Sequence, residues 1–505
     1  MSHWIILPIL LPAITAPLLA LAVRHDIVLA RTFSLASSLL MLMLALFLLS
    51  QASDGTILKY HLGNWPAPFG IVLALDRLSA MMLLLNALLG LLVLLYAMGG
   101  WDKRGLHFHP MFQFLLMGIN GAFLTGDLFN LFVFFEVLLI ASYGLMVHGG
   151  GALRLRSGVQ YVVINLIGSS IFLIAVGLIY SVTGTLNMAD LALKVAAVQP
   201  GDQALLHTGA LLLLLVFCIK AALVPVQFWL PATYANAPAP IAALFAIMTK
   251  VGAYAIIRVY TLIFGASAGA ESWIAGSWLV PAALVTLALG AMGVLAARSL
   301  GQLVSFAVIM SMGTLLTAVG LFTPQSMSAA LYYLLHSTLA AGAMFLVVDL
   351  VVQRRAQHGD LLQPAPSFAQ ISLIGGCFFV AAIAMTGMPP LSGFIAKLQI
   401  LNSVRHADAA VWIWALLLTG SLLSILGFAR AGSLLFWKST AVNGELKPGR
   451  RSGTLPLVAL GLVFGSLLLL TIFAGPVNHY LEQTAAQLFA PQGYIDAVLA
   501  TEGVR

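Results

Sequence analysis

Charge is what this 505-residue chain has least of. Asp, Glu, Lys and Arg together make up 8% of it, against 61% hydrophobic residues and a mean hydropathy of +1.04. So few polar groups cannot cover a water-soluble surface, and a soluble globular fold is excluded. Cysteine is nearly absent as well. Cys218 and Cys377 sit singly inside apolar runs, without the spacing of a metal or redox pair, and read as small buried hydrophobes. Cysteine clusters, a Gly-rich nucleotide loop and a flavin motif are all missing. No cofactor and no metal site are therefore expected, and any redox chemistry would belong to partner chains. The net charge of +7 sits in short loops between apolar runs, where basic residues set topology, so no nucleic-acid partner is read from it.

What is abundant is long apolar sequence. A helix needs about 20 residues to cross a hydrocarbon core of about 30 Å. Runs of that kind fall near 4–23, 32–50, 78–98, 108–125, 128–147, 157–182, 206–224, 240–263, 274–296, 302–322, 326–352, 368–388, 411–436 and 454–476. The expectation is an all-α polytopic membrane protein of about 14 transmembrane helices, a single membrane domain over 1–505 with no long linker. The first run, IILPILLPAITAPLLALAV, has no Lys or Arg before it and is long enough to span, so it reads as a retained first helix.

The loops test this count. Those after odd-numbered spans hold Arg24 and Arg31, Lys103 and Arg104, Arg154 and Arg156, Arg298, Arg354 and Arg355, then Lys438, Lys447, Arg450 and Arg451. Those after even-numbered spans hold chiefly Lys59, Lys194 and Arg405, mixed with Asp54, Asp190, Asp202, Glu271 and Asp408. Cytoplasmic loops collect Lys and Arg, so the odd loops are expected to be cytoplasmic and both termini to lie on the other side.

An ionisable group at mid-bilayer costs roughly 2.5–3.5 kcal/mol on insertion scales, and several of them are a functional signal. Glu136, Lys220, Lys250, His336 and Lys397 all fall inside spans or at interruptions. Lys220 stands in KAALVPVQFWLP, five residues before Pro225, and Lys397 in GMPPLSGFIAKLQIL, after Pro389 and Pro390. Proline removes an amide donor and clashes with the preceding turn, so the seventh and twelfth spans should be broken helices. In a membrane such breaks survive only where protein or a water-lined cavity receives the freed backbone. Two breaks at matching places are the mark of inverted repeats, here two five-helix repeats over about 108–263 and 274–436. Lys250, Tyr254 and Arg258 form one polar stripe, from whose outer end Arg258 can snorkel to the surface. His336 alone reads equally well as a hydrogen-bonded core residue. The neighbouring lysines favour a proton relay. Asp349, Arg354 and Arg355 read as a helix-end ion pair.

Three stretches, GDLFNLFVFFEVLL, KAALVPVQFWLPATYANAPAPIAALFAIMTKVGAY and GMPPLSGFIAKLQIL, carry a resemblance that covers nearly the whole chain. It resembles the antiporter-like subunits shared by Mrp-type multisubunit cation/proton antiporters and respiratory NADH dehydrogenase, and among them is most similar to the Mrp D type, including the potassium/proton (Pha) variant. The resemblance implies that Glu136 and Lys220 form a pair that modulates proton movement, that Lys250 and His336 continue a hydrated lateral path, and that Lys397 is the terminal exchange group. It also implies a bacterial inner-membrane complex with A, B, C, E, F and G type partners, exchanging protons for Na+ or K+, in contact with membrane lipid. The chain itself would be a transporter subunit and no enzyme. The alternative is a proton-pumping subunit of an NADH:quinone oxidoreductase. Two departures stand out: Val226 and Gln227 occupy the place where respiratory subunits carry a histidine, which favours the Mrp type, and Ala340 stands where many relatives have a lysine.

Overall fold

The computed structural model describes residues 3–442 and 453–500; Lys447, Arg450 and Arg451 of the basic loop after the thirteenth span lie outside the described residues. Every apolar run is helical. The first six spans are α1 (Leu7–Leu21), α2 (Ile27–Ala52), α3 (Arg77–Ala97), α4 (Phe108–Leu124), α5 (Leu128–Met146) and α6 (Ala152–Thr183). After the short α7 (Met188–Lys194), the seventh span is split into α8 (Gln203–Ala221) and α9 (Trp229–Asn236), and the eighth is α10 (Ala239–Leu262). Spans nine to eleven are α11 (Gly276–Ala296), α12 (Leu300–Gly320) and α13 (Pro324–Arg355). The twelfth is split into α14 (Ile371–Thr386) and α15 (Ser392–Ser403), followed by α16 (Ala410–Gly432) and α17 (Thr454–Ile472). Among the described residues eleven of these helices are long and apolar enough to cross a membrane, with α1 and α14 shorter but equally apolar.

Both breaks close alike. Ala222 and Gly387 turn left-handed at φ 55° and 72°. The amide of Leu223 then donates to Cys218 O at 3.0 Å and that of Met388 to Ile383 O at 3.1 Å, the bond that closes a Schellman-type helix end.

Other contacts recur between the halves. Gly118 and Gly121 of α4 pack against Leu138 and Phe134 of α5, as Gly290 and Gly293 of α11 pack against Met310 and Phe306 of α12. A Cβ at Gly121 or Gly293 would come within 2.2 or 2.1 Å of the facing ring, so only glycine permits these helices to approach so closely. Asp127 caps α5 and Ser299 caps α12, each accepting from the amide three residues on. The amides of Leu128 and Leu300 are bonded to Leu186 O and Asp360 O.

Two features depart from the sequence reading. A two-stranded antiparallel hairpin, β1 (Leu58–His61) on β2 (Val72–Leu75), interrupts the otherwise helical chain between α2 and α3. Beyond α17, α18 (Ala474–Phe489) and α19 (Gln492–Leu499) fold back over α3 and the hairpin: Tyr480 donates to Arg77 O at 2.8 Å and Gln487 to Gly55 O at 2.9 Å. Their mixed polar and apolar sequence is too short and polar for a span. Helices α10, α12 and α13 are enclosed by the others, whereas α2, α6, α16 and α17 turn exposed leucines, valines and isoleucines outward, as helices bordering lipid must.

Candidate functional site

The five ionisable side chains singled out in the sequence fall on five helices, α5, α8, α10, α13 and α15; Lys220, Lys250, His336 and Lys397 are buried, whereas Glu136 is half-buried. Glu136 and Lys220 are joined through α6. Ser169 donates its hydroxyl to Glu136 Oε1, and one turn earlier Asn165 accepts from Lys220 Nζ at 3.0 Å. Residues four apart share a helix face, so α6 presents one partner to each charge. Among the described residues no direct Glu136–Lys220 ion pair exists within 4.0 Å. The implied pair is thus a spaced one, held apart by two neutral side chains.

Lys220 is the penultimate residue of α8, at the negative end of that helix's dipole, which favours its cation. The backbone freed by the break finds side-chain partners from two elements, α9 and α11. Trp229 Nε1 donates to Ile219 O at 3.1 Å, and the Val224 amide donates to Thr286 Oγ1 at 2.9 Å on α11. Tyr161 of α6 stacks on Trp229 with centroids 5.4 Å apart. These contacts leave a cavity of about 20 Å³ beside Lys220 and Asn165, reaching Met248 and Val251 on either side of Lys250. That volume is about that of one water, and its wall is mostly apolar, with Lys220 and Asn165 among the few polar groups on it. Gly252 lets α10 press against the Lys220 backbone here.

Lys250 is wholly buried on α10, and its Nζ has no hydrogen-bond partner among the described residues. His336, 2% exposed, is held on both ring nitrogens. Nε2 lies 3.0 Å from Ala384 O, which can only accept, so Nε2 carries the proton and Nδ1 accepts from Ser392 Oγ at 2.8 Å. Both contacts come from the broken twelfth span, one from each half. Lys397 reaches back across the break to donate to Thr386 O at 2.6 Å and to Ser421 Oγ at 2.9 Å on α16. It therefore caps the terminus of α14, and Gly387 clears its path, since a Cβ there would stand 2.8 Å from Lys397 Cδ. Lys220 belongs to the first half of its broken helix and Lys397 to the second half of its own. Ala340 is buried, with no side chain to extend the file.

Two sequence expectations are corrected. Arg258 does not snorkel: its guanidinium makes a two-pronged pair with Asp76 at 2.6 and 2.8 Å, lies over Tyr494, and is buried. Asp76, which caps α3, supplies a carboxylate inside the protein that outcompetes the membrane surface. Arg258→Leu, which strands that carboxylate, is expected to destabilise the protein by about 3–5 kcal/mol, and Asp76→Leu with Arg258→Leu to recover most of the loss; thermal unfolding of the detergent-solubilised complex measures both. Asp349 accepts from neutral donors, Tyr96 at 2.8 Å, Trp101 at 2.8 Å and Gln353 at 2.6 Å, while Arg355 donates to the carbonyls of Gly359, Leu361 and Gln363. The turn after α13 exposes these carbonyls to Arg355, and no Asp349–Arg355 pair forms among the described residues.

Sequence reasoning missed Asn165, Ser169, Ser392 and Ser421. Their signal was present, since polar residues inside apolar spans need partners, but hydroxyls and amides are common there and only the facing charges single these out. Among the described residues no group of three or more His, Cys, Asp or Glu is placed to hold a metal ion.

The same geometry has relatives among known proteins. The family described as NADH:quinone oxidoreductase/Mrp antiporter, transmembrane, matches residues 125–424. The chain is 41% identical to the D subunit of a probable K+/H+ antiporter from Rhizobium meliloti, covering 99% of this chain and 98% of that one. It is 38% identical to the D subunit of a Na+/H+ antiporter from Bacillus subtilis, covering 99% and 100%. A chain in the solved structure of the Mrp complex from Dietzia sp. superposes with a TM-score of 0.87 at 28% identity, over 99% of this chain and 100% of that one.

Proposed function

Since this chain belongs to the NADH:quinone oxidoreductase/Mrp antiporter transmembrane family, we propose that it is the D-type component of a multisubunit monovalent cation/proton antiporter, moving protons along Glu136, Lys220, Lys250, His336 and Lys397. The single observation that carries this reading is the spaced Glu136–Ser169 and Asn165–Lys220 arrangement on one face of α6, beside a broken helix and a water-sized cavity. A charge pair locked at contact distance would hold its proton. One kept apart by neutral groups leaves Lys220 free to lose a proton toward the cavity and α10 and to regain it under the pull of Glu136. Lys250 can receive it, and His336, neutral with one protonated and one accepting nitrogen, can pass it toward Lys397. Moving one charge across 100 mV is worth about 2.3 kcal/mol, which an exchanger can couple to cation extrusion.

The same reading places partners of the A, B, C, E, F and G types around this chain in a bacterial inner membrane. The two halves, 108–263 and 274–436, act as inverted five-helix repeats, in keeping with their recurring glycine contacts, caps and breaks. The odd loops face the cytoplasm and both termini lie outside. In support, the basic loops meet at one end of the bundle, where Arg31 pairs with Asp102, Arg154 bonds Asn236 O, and Arg104 lies 3.6 Å over Trp101.

The test is ion-driven pH change in inverted vesicles carrying the whole gene cluster, with Na+ and K+ added separately and NADH absent. Exchange that is lost when this chain is deleted supports the antiporter assignment and names the ion; a proton gradient that forms only on NADH addition moves the chain into the respiratory enzyme. Within the antiporter, Asn165→Leu is expected to lower exchange about 10-fold with normal assembly, because it removes the acceptor that positions Lys220 on α6 at a cost of about 1–3 kcal/mol. Unchanged exchange in that variant removes α6 from the mechanism.

A further inference from the structure

A second site lies away from the proton file, where α1 ends, α2 begins and the chain enters α4. A cavity of about 420 Å³ opens there, with Arg24, His25, Lys103 and Arg104 on its wall. Its carboxylate, Asp102, is not available to repel an anion. Arg31 grips both of its oxygens, at 2.6 and 2.9 Å, and His109 approaches one of them at 3.4 Å. Burial alone would raise this carboxyl, but the bonds from His109 and Arg31 prevail and hold it at about 2, so it stays ionised and neutralised by its partners. The other ring nitrogen of His109, Nδ1, is buried without a hydrogen-bond partner, and His109 itself is 3% exposed on the cavity wall. Arg24 donates to His25 Nε2 at 2.8 Å, which keeps both side chains at the rim.

The rest of the wall is apolar, with Leu19, Ile27, Ala30 and Leu106. It continues onto the outward faces of α1 and α2, where Leu21 and Val28 are 78% and 67% exposed. Basic groups above an apolar groove, at the level where two spans meet the interface, match one kind of molecule: a phosphate head with acyl chains below it. We propose that this pocket binds the headgroup of an anionic phospholipid, its phosphate on Lys103, Arg104 and Arg24 and its chains along α1 and α2. Placing that lipid in the cytoplasmic leaflet rests on the orientation proposed above, while headgroup binding does not. Neither the antiporter assignment nor the proton file is needed for it.

Native mass spectrometry of the purified whole complex, released from nanodiscs of phosphatidylglycerol and phosphatidylcholine, tests the proposal. The complex is expected to retain a phosphatidylglycerol that the triple variant Arg24→Gln, Lys103→Gln, Arg104→Gln loses, with binding about 100-fold weaker given roughly tenfold or less per cation. A second variant, Arg24→Lys with Arg104→Lys, keeps the charge and is expected to keep the lipid, which separates binding from misfolding. Equal retention by wild type and the triple variant overturns the proposal. So does displacement of the lipid by inorganic phosphate at millimolar concentration, which assigns the pocket to a free anion, and so does a partner protein found covering it in the intact complex.

Discussion

Vesicles carrying Lys220→Ala are expected to show no cation-driven proton movement above background, a loss of about 100-fold or more, the scale on which a positioned proton-transfer group contributes. The variant chain should still assemble. Glu136 keeps the hydroxyl of Ser169, and Asn165 keeps its own bond to Tyr161 O at 2.8 Å, so the substitution strands no buried charge in contact with a lost partner. Glu136→Ala should lose exchange equally. Lys220→Arg should fail as well, for two separate reasons. A guanidinium stays protonated at any pH the cell meets, and the cavity of about 20 Å³ beside Lys220 has no room for the wider planar group. Quantifying the chain in the membrane alongside exchange decides the matter: exchange above about a tenth of wild type in an assembled Lys220→Ala complex ends the role assigned to this residue.

Lys250→Met is expected to abolish exchange on the same scale while making the protein more stable. Lys250 is wholly buried and its Nζ has no hydrogen-bond partner among the described residues. An unsatisfied buried polar group costs about 1–3 kcal/mol, more if charged, and an apolar side chain of similar length removes that cost without opening a cavity. The thermal midpoint of the detergent-solubilised complex should therefore rise as the transport rate falls. A residue kept for packing would behave in the opposite way, with lower stability and retained exchange, and that result would remove Lys250 from the path. Against Arg258→Leu, which is expected to melt early through loss of its pair with Asp76, the contrast separates a cation that builds the fold from one that the fold tolerates for its chemistry.

Much of the fold was legible in the chain itself. The fourteen apolar runs became helices because each is long enough to satisfy its own backbone and too apolar to lie in water. The prolines at 225 and at 389–390 fall at both breaks, where a missing amide donor weakens the helix, although Pro12, Pro17 and Pro281 lie inside continuous helices. The lysines were conspicuous because a cation in an apolar run is costly wherever the run packs.

Partnership was not legible, because it depends on which helix faces share a boundary. Arg258 and Arg355 look alike in sequence, each near the end of a span. Arg258 meets a carboxylate 182 residues away, whereas Arg355 donates to the backbone carbonyls of Gly359, Leu361 and Gln363. Glu136 and Lys220 were expected as a pair, and only the placement of α6 put Ser169 and Asn165 between them. The hairpin and the returning helices α18 and α19 were missed as well, since a search for span-length apolar runs passes over four-residue strands and short amphipathic helices, which here pack on α3 and on Arg258. The sequence by itself determined where the apolar helices run and which lysines lie inside them, both consequences of local solvation cost. The tertiary structure alone decided which of those charges are neutralised, which are held apart and which stand alone, because in a low-dielectric interior a few ångströms between helix faces separate a fixed ion pair from a movable proton.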